Sequence, residues 1–200
     1  SYVSQIGSMG TGDDQFYSPQ ALAVDDIYIY VADTFNNRIL KRLKSDLSYV
    51  SKIGLYGQGD DYFYQPGGIA VDDTYIYVAD SRNFRIVKRL KSDLSYVIQI
   101  GSEGTGDDQF SYPEALAVDD IYIYVGDRSY SMNISKRLKS DLSFVSKIGS
   151  LGIGDDQFDD PRGIAVYHQI VPRIIPIVMN PVFTPLSGEV NSGDFVTITC

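Results

Sequence analysis

Residues 48–94 read SYVSKIGLYGQGDDYFYQPGGIAVDDTYIYVADSRNFRIVKRLKSDL and form one complete copy of a repeat. The same text of 47 residues, with substitutions, occupies residues 1–47, and it returns with one added residue at residues 95–142. A fourth copy begins at Ser143 and loses the pattern after Val166. A repeat of roughly 20–50 residues is typical of solenoids, propellers and linear arrays, so this period restricts the fold to one of these repeat architectures.

Each copy contains four short runs rich in β-branched and aromatic residues, which predicts four β-strands. In the second copy these runs are residues 68–71, 74–79, 85–90 and 95–100. The Asp-Asp pair after the first run predicts a tight hairpin turn. No stretch has the roughly 3.6-residue apolar period of a helix. Four strands per copy with short connections predict an all-β fold built from β-propeller blades.

The second run of each copy is apolar or aromatic on both faces, as in Tyr-Ile-Tyr-Val at residues 75–78. A strand that is buried on both faces fits a blade that lies between two neighbouring blades. We therefore predict that the tyrosines of this run are core residues between blades rather than a platform for sugars. They are Tyr28, Tyr30, Tyr75, Tyr77, Tyr122 and Tyr124.

Composition narrows the class of protein. Of the 26 acidic residues, 23 are Asp, a residue that favours turns, whereas Glu favours helices. The net charge of −9 argues against nucleic acid as a partner, because phosphate binding needs clustered Lys and Arg. No segment approaches the roughly 20 apolar residues of a membrane-spanning helix. The single Cys200 allows no internal disulfide, and no cofactor is expected.

The repeated text GxGDDQF…P…(G/A)(I/L)AVD…IYVAD…N.RI resembles the NHL-repeat propellers over residues 1–166. It is present in full in the first two copies and in part in the third and fourth. The resemblance implies strands that radiate from a central axis. It also implies that the Gly/Asp loop and the loop after VAD share one rim of the disc. We assign residues 1–169 to these propeller blades.

The chain contains fewer copies of the repeat than the number of blades in most closed propellers. Residues 1–166 amount to about 3.5 copies, whereas propellers close with about 4–8 blades. We expect an outer strand near residues 2–6 and an inner strand at residues 163–166. Either further blades precede residue 1, which we favour, or two or more chains associate to complete a ring.

The composition changes after Tyr167. Residues 170–179 lack Asp and Gly and contain prolines, so we predict an extended linker or an edge strand. Residues 180–200 resemble the start of a chitobiase- or fibronectin-associated β-sandwich module, through the PxFxPxxG text and the later VTIT run. This resemblance implies a secreted multidomain protein of a bacterium or archaeon, located outside the cell or at the cell surface.

Pairs of Asp recur in the Gly-flanked loops and offer two interpretations. Carboxylates and carbonyl groups are ligands for Ca²⁺, but Asp and Gly are also ordinary turn residues. We favour the turn interpretation, because the spacing matches neither an EF-hand loop nor a calcium-binding β-helix repeat. The calcium candidates are Asp13, Asp14, Asp60, Asp61, Asp107 and Asp108.

The loop after the second strand carries a second polar group. It either binds a ligand or partner or forms a structural network in which Arg bridges the Asp and loop carbonyls of adjoining blades, and we favour the network. Asn and Arg follow the Asp of VAD in the first two copies, whereas residues 127–133 of the third copy have an extra residue and no matching Arg. We expect specificity where copies differ. The candidate rim residues are Asp33, Asn36, Asn37, Arg38, Tyr56, Arg82, Asn83, Phe84, Arg85, Asp127, Arg128 and Tyr130.

Two further patterns concern charge and aromatic side chains. The basic runs 41–44, 88–91 and 136–139 are each followed by Asp, so we interpret them as solvated third strands rather than a nucleic-acid surface. Aromatic side chains in rim loops can stack on carbohydrate or pack on a protein. These candidates are Tyr17, Tyr56, Tyr64 and Tyr112.

Catalysis finds little support in these residues. The zinc-dependent lyases related to this family need several His ligands, and the chain has only His168. We therefore expect a non-enzymatic secreted or cell-surface scaffold that binds a protein or glycan through its rim loops. The alternatives are a propeller lyase or hydrolase with catalytic residues in further blades, and a structural array that self-associates.

Overall fold

The computed structural model describes residues 5–166, which form three antiparallel sheets of four strands each. We call these sheets blades 1, 2 and 3, and in each the strands pair in sequence order. Blade 1 contains β1 (Ala21–Val24), β2 (Tyr28–Asp33), β3 (Arg38–Leu43) and β4 (Tyr49–Ile53). Blade 2 contains β5 (Pro66–Val71), β6 (Tyr75–Asp80), β7 (Arg85–Leu90) and β8 (Tyr96–Ile100). Blade 3 contains β9 (Pro113–Val118), β10 (Tyr122–Asp127), β11 (Asn133–Leu138) and β12 (Phe144–Ile148).

The sequence predicted this all-β architecture of four-stranded propeller blades, and the structure confirms it. β7 has the predicted bounds, and β5 begins two residues before its predicted start. The first strand of blade 2, β5, packs against β1 of blade 1 and β9 of blade 3, as inner strands of successive propeller blades do. Within residues 5–166 no helix is long and apolar enough to cross a membrane.

Each hairpin between the first and second strands is closed by an Asp side chain. The carboxylate of Asp72 accepts hydrogen bonds from the backbone N–H groups of Thr74 at 2.8 Å and Tyr75 at 2.7 Å. Its other oxygen accepts a hydrogen bond from the Tyr77 hydroxyl at 2.9 Å. Such Asp turns replace backbone hydrogen bonds that a tight reversal would otherwise lose. The turn therefore also satisfies the hydroxyl of a buried tyrosine.

The core lies between the blades. Side chains of β2 and β3 in blade 1 pack against β5, β6 and β7 of blade 2, and a second cluster joins blades 2 and 3 in the same way. Tyr30 and Tyr77 are fully buried, which confirms the predicted role of the second-strand tyrosines at these two positions. Tyr28 and Tyr75 are only partly buried, because they lie near the hairpin ends.

The prediction of solvated third strands was wrong. Lys41, Arg42, Lys88, Arg89 and Arg137 are each at most 4% exposed. The Nζ atom of Lys88 donates hydrogen bonds to the carbonyl oxygens of Lys139 at 2.7 Å and Ser140 at 3.2 Å, in the next blade. The charge is buried because the hairpin turn of the following blade covers it, which sequence patterning within one copy does not indicate.

The prediction of an inner strand at residues 163–166 was also wrong, because the structure assigns no strand there. An inner strand needs a second strand as its partner, and the repeat text that would supply one stops after Val166. The predicted linker at residues 170–179 and module at residues 180–200 lie outside the described residues, as does most of the expected strand at residues 2–6.

Candidate functional site

Two sets of loops form the surface that we call the loop rim. One set, residues 7–19, 54–65 and 101–112, leads into the inner strands, and the other, residues 34–37, 81–84 and 128–132, joins second to third strands. Asn83 Nδ2 donates to the Gly57 carbonyl at 2.7 Å, and Arg85 donates to the carbonyls of Gln58 and Gly59. These contacts confirm that the two sets lie on one rim.

The Asp–Asn–Arg group of the repeat holds the loop rim together. In blade 2 the Asp80 carboxylate accepts hydrogen bonds from Arg85 Nε at 2.8 Å, Asn83 Nδ2 at 2.8 Å and Tyr64 N at 2.7 Å. Asp80 is fully buried and Arg85 is 4% exposed. Burial raises the pKa of Asp80, although hydrogen bonds from Asn83, Tyr64 and Arg85 oppose this. Asp80 and Arg85 thus form a buried ion pair, and the half-buried Asn83 joins it to the loop.

Blade 1 repeats the network with the same geometry. Arg38 Nε lies 2.8 Å from Asp33, and Asn36 Nδ2 donates to the same carboxylate at 2.8 Å. Asn37 Oδ1 accepts a hydrogen bond from Gln65 N at 2.8 Å, which links blade 1 to the loop of blade 2. Asn37 and Phe84 both adopt left-handed backbone conformations, with φ of 54° and 55°. These predicted site residues therefore shape the loops from within.

The paired acids of the loops contact basic side chains. Asp61 lies 2.5 Å from the buried Arg89, and Asp108 lies 3.0 Å from the buried Arg137. Arg89 also donates to the Asp60 carbonyl. The pair Asp14–Arg42 repeats this arrangement in blade 1, and Lys52 and Lys147 bind Asp13 and Asp107. Among residues 5–166, no group of three or more His, Cys, Asp or Glu side chains is arranged to hold a metal ion.

The third copy has no arginine at the position of Arg38 and Arg85. Asn133 stands at the start of β11, where Arg85 stands in β7, and Asp127 instead accepts hydrogen bonds from the backbone N–H groups of Ser111 and Tyr112. Burial raises the pKa of Asp127, and these hydrogen bonds oppose the rise. Tyr130, at the tip of this longer loop, is 89% exposed.

A row of aromatic and arginine side chains crosses the loop rim from blade 2 to blade 3. The rings of Tyr56 and Tyr64 meet edge to face at 5.0 Å. The Arg82 guanidinium lies 5.9 Å from the rings of both Tyr64 and Tyr112. The Arg128 guanidinium lies 4.7 Å from the ring of Tyr112, so this ring contacts both arginines. We call these five side chains the tyrosine–arginine row.

Neighbouring side chains that sequence reasoning missed support this row. Gln65 Oε1 accepts a hydrogen bond from Arg82 Nε at 3.0 Å, and Glu114 Oε2 lies 2.6 Å from Arg128 Nε. Burial raises the pKa of Glu114, although the charge of Arg128 opposes this. A signal was present in the sequence, since the residue after the loop proline differs in every copy: Gln20, Gly67, Glu114 and Arg162.

Large apolar side chains are exposed along the same rim. Tyr56 is 67% exposed, and the others follow the loops around the blades. On the loop rim these side chains are Met9, Tyr17, Phe35, Leu55, Tyr56, Tyr62 and Tyr130, and Leu151 and Ile153 lie in the corresponding loop after β12. Exposed apolar side chains also lie on strands and hairpin turns, for example Leu22, Ile27 and Ile121, and scattered ones are ordinary.

The opposite rim carries the hairpin turns, and three of them line a cavity of about 620 Å³. We call this surface the hairpin rim. Lys91 of blade 2 lies 3.1 Å from Asp25 of blade 1, and Lys139 of blade 3 lies 3.0 Å from Asp72 of blade 2. These ion pairs join successive blades, so the cavity wall has a structural role.

Comparisons with known proteins agree with this geometry. A family model described as NHL repeat matches residues 63–88. The crystal structure of the RRP9 WD40 repeats is similar with a TM-score of 0.53 at 15% identity, covering 65% of this chain and 38% of that chain. Kuenenia stuttgartiensis hydrazine synthase is similar with a TM-score of 0.56 at 12% identity, covering 82% and 42%. Myxococcus xanthus glutaminyl cyclase gives 0.51 at 13% identity, covering 74% and 63%.

At these identities the likeness shows the propeller fold alone. This chain spans less than two thirds of the length of each of the three structures. No curated protein sequence matched the chain. None of the matches supports the predicted resemblance of residues 180–200 to a chitobiase- or fibronectin-associated module.

Proposed function

We propose that this protein is an interaction scaffold whose loop rim binds a protein partner. The observation that carries the proposal is the tyrosine–arginine row. Tyr and Arg, together with Trp, are the side chains most enriched among residues that dominate protein–protein binding energy. Tyr56 and Arg82 are exposed on the row, and the strands of blade 2 flank the loops that carry them. A rigid scaffold with variable loops is a common arrangement of binding sites.

The division between repeated and variable residues supports the same proposal. The ion pair of Asp61 with Arg89 has counterparts in blades 1 and 3, and that of Asp80 with Arg85 has a counterpart in blade 1; these pairs hold loops in place. The exposed positions differ, since Phe35 in blade 1 corresponds to Arg82 in blade 2 and Ser129 in blade 3. A partner that contacts the rim therefore meets three chemically different loops.

A glycan partner is the second form of this proposal, because exposed tyrosine rings also stack on sugars. A non-enzymatic role is supported by the residue types on the rim: residues 5–166 contain neither His nor Cys. Two proteins of similar fold are named as enzymes, glutaminyl cyclase and hydrazine synthase, so activity is the competing proposal. An extracellular or cell-surface location, and self-association to complete a ring, remain predictions.

Selection from a displayed library of random peptides tests the proposal, with a glycan array as a parallel arm. We expect the full chain to retain a family of peptides, and Tyr56→Ala to lose that family. Ile121→Ala removes a side chain of similar exposure on the hairpin rim and should retain the peptides. Retention of sugars alone would favour the glycan form. Equal selection by Tyr56→Ala and the unchanged chain would overturn the proposal.

A further inference from the structure

Arg82 differs from the other arginines in the described part of the chain. Every other arginine within residues 5–166 forms an ion pair with Asp or Glu. Arg82 is exposed, and its guanidinium contacts the Gln65 amide oxygen and the rings of Tyr64 and Tyr112. No carboxylate among residues 5–166 pairs with it. The guanidinium is thus held in position by neutral groups while its charge is uncompensated.

The neighbouring Arg128 shows what completes such an arrangement. Its guanidinium lies 4.7 Å from the ring of Tyr112, which Arg82 also contacts, and its Nε atom lies 2.6 Å from the Glu114 carboxylate. A guanidinium can present its face to an aromatic ring and its edge to a carboxylate at the same time. In blade 2 the position of Glu114 is taken by Gly67, so the repeat supplies Arg82 with no equivalent acid.

We infer that Arg82 is the anchor for a carboxylate on the protein partner, an Asp or Glu side chain in a partly aromatic or apolar segment. This inference rests on the proposed function of the loop rim and names the chemistry of its partner. A charge-assisted pair between guanidinium and carboxylate is roughly twice as strong as a neutral hydrogen bond. Because Arg82 is already ordered by Gln65 and two rings, little side-chain freedom remains to be lost on binding.

The surroundings of Arg82 define the neighbouring part of the partner segment. Tyr56 is 67% exposed and lies edge to face with Tyr64 at 5.0 Å, next to the Arg82 contact with Tyr64. An acidic residue bound at Arg82 would therefore have an apolar or aromatic neighbour over Tyr56. Phe35 and Ser129 at the matching positions carry no charge, so the anchor occurs once in the three blades.

The net charge of −9 repels an acidic segment at long range, but salt limits that effect. The Debye length is about 8 Å at physiological ionic strength, so the charge on Arg82 dominates only after close approach. We therefore expect the anchor to govern which peptide stays bound more than how fast it arrives.

The test uses the strongest peptide recovered by the full chain and a copy of that peptide with its acidic residue changed to the amide. We expect the recovered family to share an acidic residue beside an aromatic or apolar one. Arg82→Gln should weaken binding of the acidic peptide at least about tenfold. We expect Arg82→Gln to bind the amide peptide and the acidic peptide with equal affinity. Lys44→Gln removes the same charge on the hairpin rim and should leave binding unchanged.

Two results overturn the inference and are distinguishable from failure of the proposed function. If the recovered peptides show no acidic preference but are still lost by Tyr56→Ala, the rim binds protein and Arg82 is not the anchor. If changing the acidic residue of the peptide to its amide weakens binding to Arg82→Gln as much as binding to the unchanged chain, the carboxylate binds elsewhere. Recovery of no peptide at all removes the protein-binding form of the proposed function, and the inference with it. Unchanged thermal unfolding of Arg82→Gln confirms that the variant is folded.

Discussion

The ammonium group of Lys88 in blade 2 lies 2.7 Å from the carbonyl oxygen of Lys139 in blade 3, a contact across 51 residues of sequence. The ring of Tyr75 lies 4.0 Å from the same Nζ atom. Burial lowers the pKa of Lys88, and the charge of Asp72 partly offsets this. The contact ties the third strand of one blade to the outer hairpin of the next, and Lys41 makes the same contact from blade 1 to blade 2.

Replacing this lysine should loosen the junction between blades. Lys88→Met keeps most of the apolar stem but leaves the Lys139 and Ser140 carbonyl groups without their donor. We expect a loss of about 1–3 kcal/mol in the free energy of unfolding, measured by urea denaturation. The matched control is Lys136→Met at the same strand position of blade 3. Lys136 lies 3.7 Å from the Tyr122 ring, but no carbonyl group among residues 5–166 accepts a hydrogen bond from it. Equal losses in both variants would contradict the assigned contact.

The buried pair of Asp80 and Arg85 should contribute more to the free energy of unfolding than Asn133 does at the matching position of blade 3. Arg85→Ala leaves a fully buried carboxylate without its cation, which typically costs about 3–5 kcal/mol. Asn133→Ala changes the matching position of blade 3, where Asp127 has no arginine, and should cost less than about 1 kcal/mol. Thermal and urea unfolding of the two variants check this difference. A small loss for Arg85→Ala would show that the network is solvated.

Asp72 should make stability depend on acidity. Burial raises the pKa of its carboxyl group, but hydrogen bonds from Tyr75, Thr74, Lys139 and Tyr77 outweigh burial and leave the pKa below the ordinary value of 3.8. A carboxyl group whose pKa is lower in the folded state stabilises the fold above its unfolded pKa. That stabilisation is lost as pH falls from about 4 through the folded pKa.

The variant Asp72→Asn should therefore lose less stability on acidification than the unchanged chain. The measurement is the free energy of unfolding at a series of pH values between about 6 and 2. The adjacent Asp73 is exposed and has no hydrogen bond or ion pair within residues 5–166, so Asp73→Asn should follow the unchanged chain. Identical pH profiles for all three proteins would exclude the assigned role of Asp72.

Calcium should not stabilise this protein through the loop acids. Asp61, Asp14 and Asp108 each form an ion pair with a buried arginine, and the positive charge of that arginine opposes the binding of a second cation. We expect the same midpoint of thermal unfolding with added millimolar Ca²⁺ as with a chelator. A rise in the midpoint that Asp61→Asn abolishes would restore the calcium interpretation.

Sequence reasoning predicted the structural features that depend on residues within one copy of the repeat. The alternation of turn residues with runs such as residues 85–90 located β7 to the residue, because strand period and turn chemistry are local properties. Burial of Lys88 was missed, because it depends on carbonyl groups that lie 51 and 52 residues away. The inner strand expected at residues 163–166 failed for a related reason, since a strand needs a partner and the text for one is lost after Val166.

The candidate site was predicted in the same partial way. Comparing copies identified Tyr56, Arg82 and the altered loop at Asp127 as places where specificity could lie. It did not separate exposed from buried groups, so Asp33, Arg38 and Arg85 stood among the candidates although the structure buries them. The row through Tyr64 and Tyr112 joins loops of two blades, and no pattern within a single copy fixes that contact.

The most direct test of the central claim is hydrogen–deuterium exchange of the full chain with and without the strongest peptide recovered by selection. We predict slower exchange in the loop-rim segments 54–65, 81–84 and 111–112, and no change in the hairpin turns 25–27, 72–74 and 119–121. Protection confined to the hairpin turns, with the loop rim unchanged, would contradict binding at the loop rim.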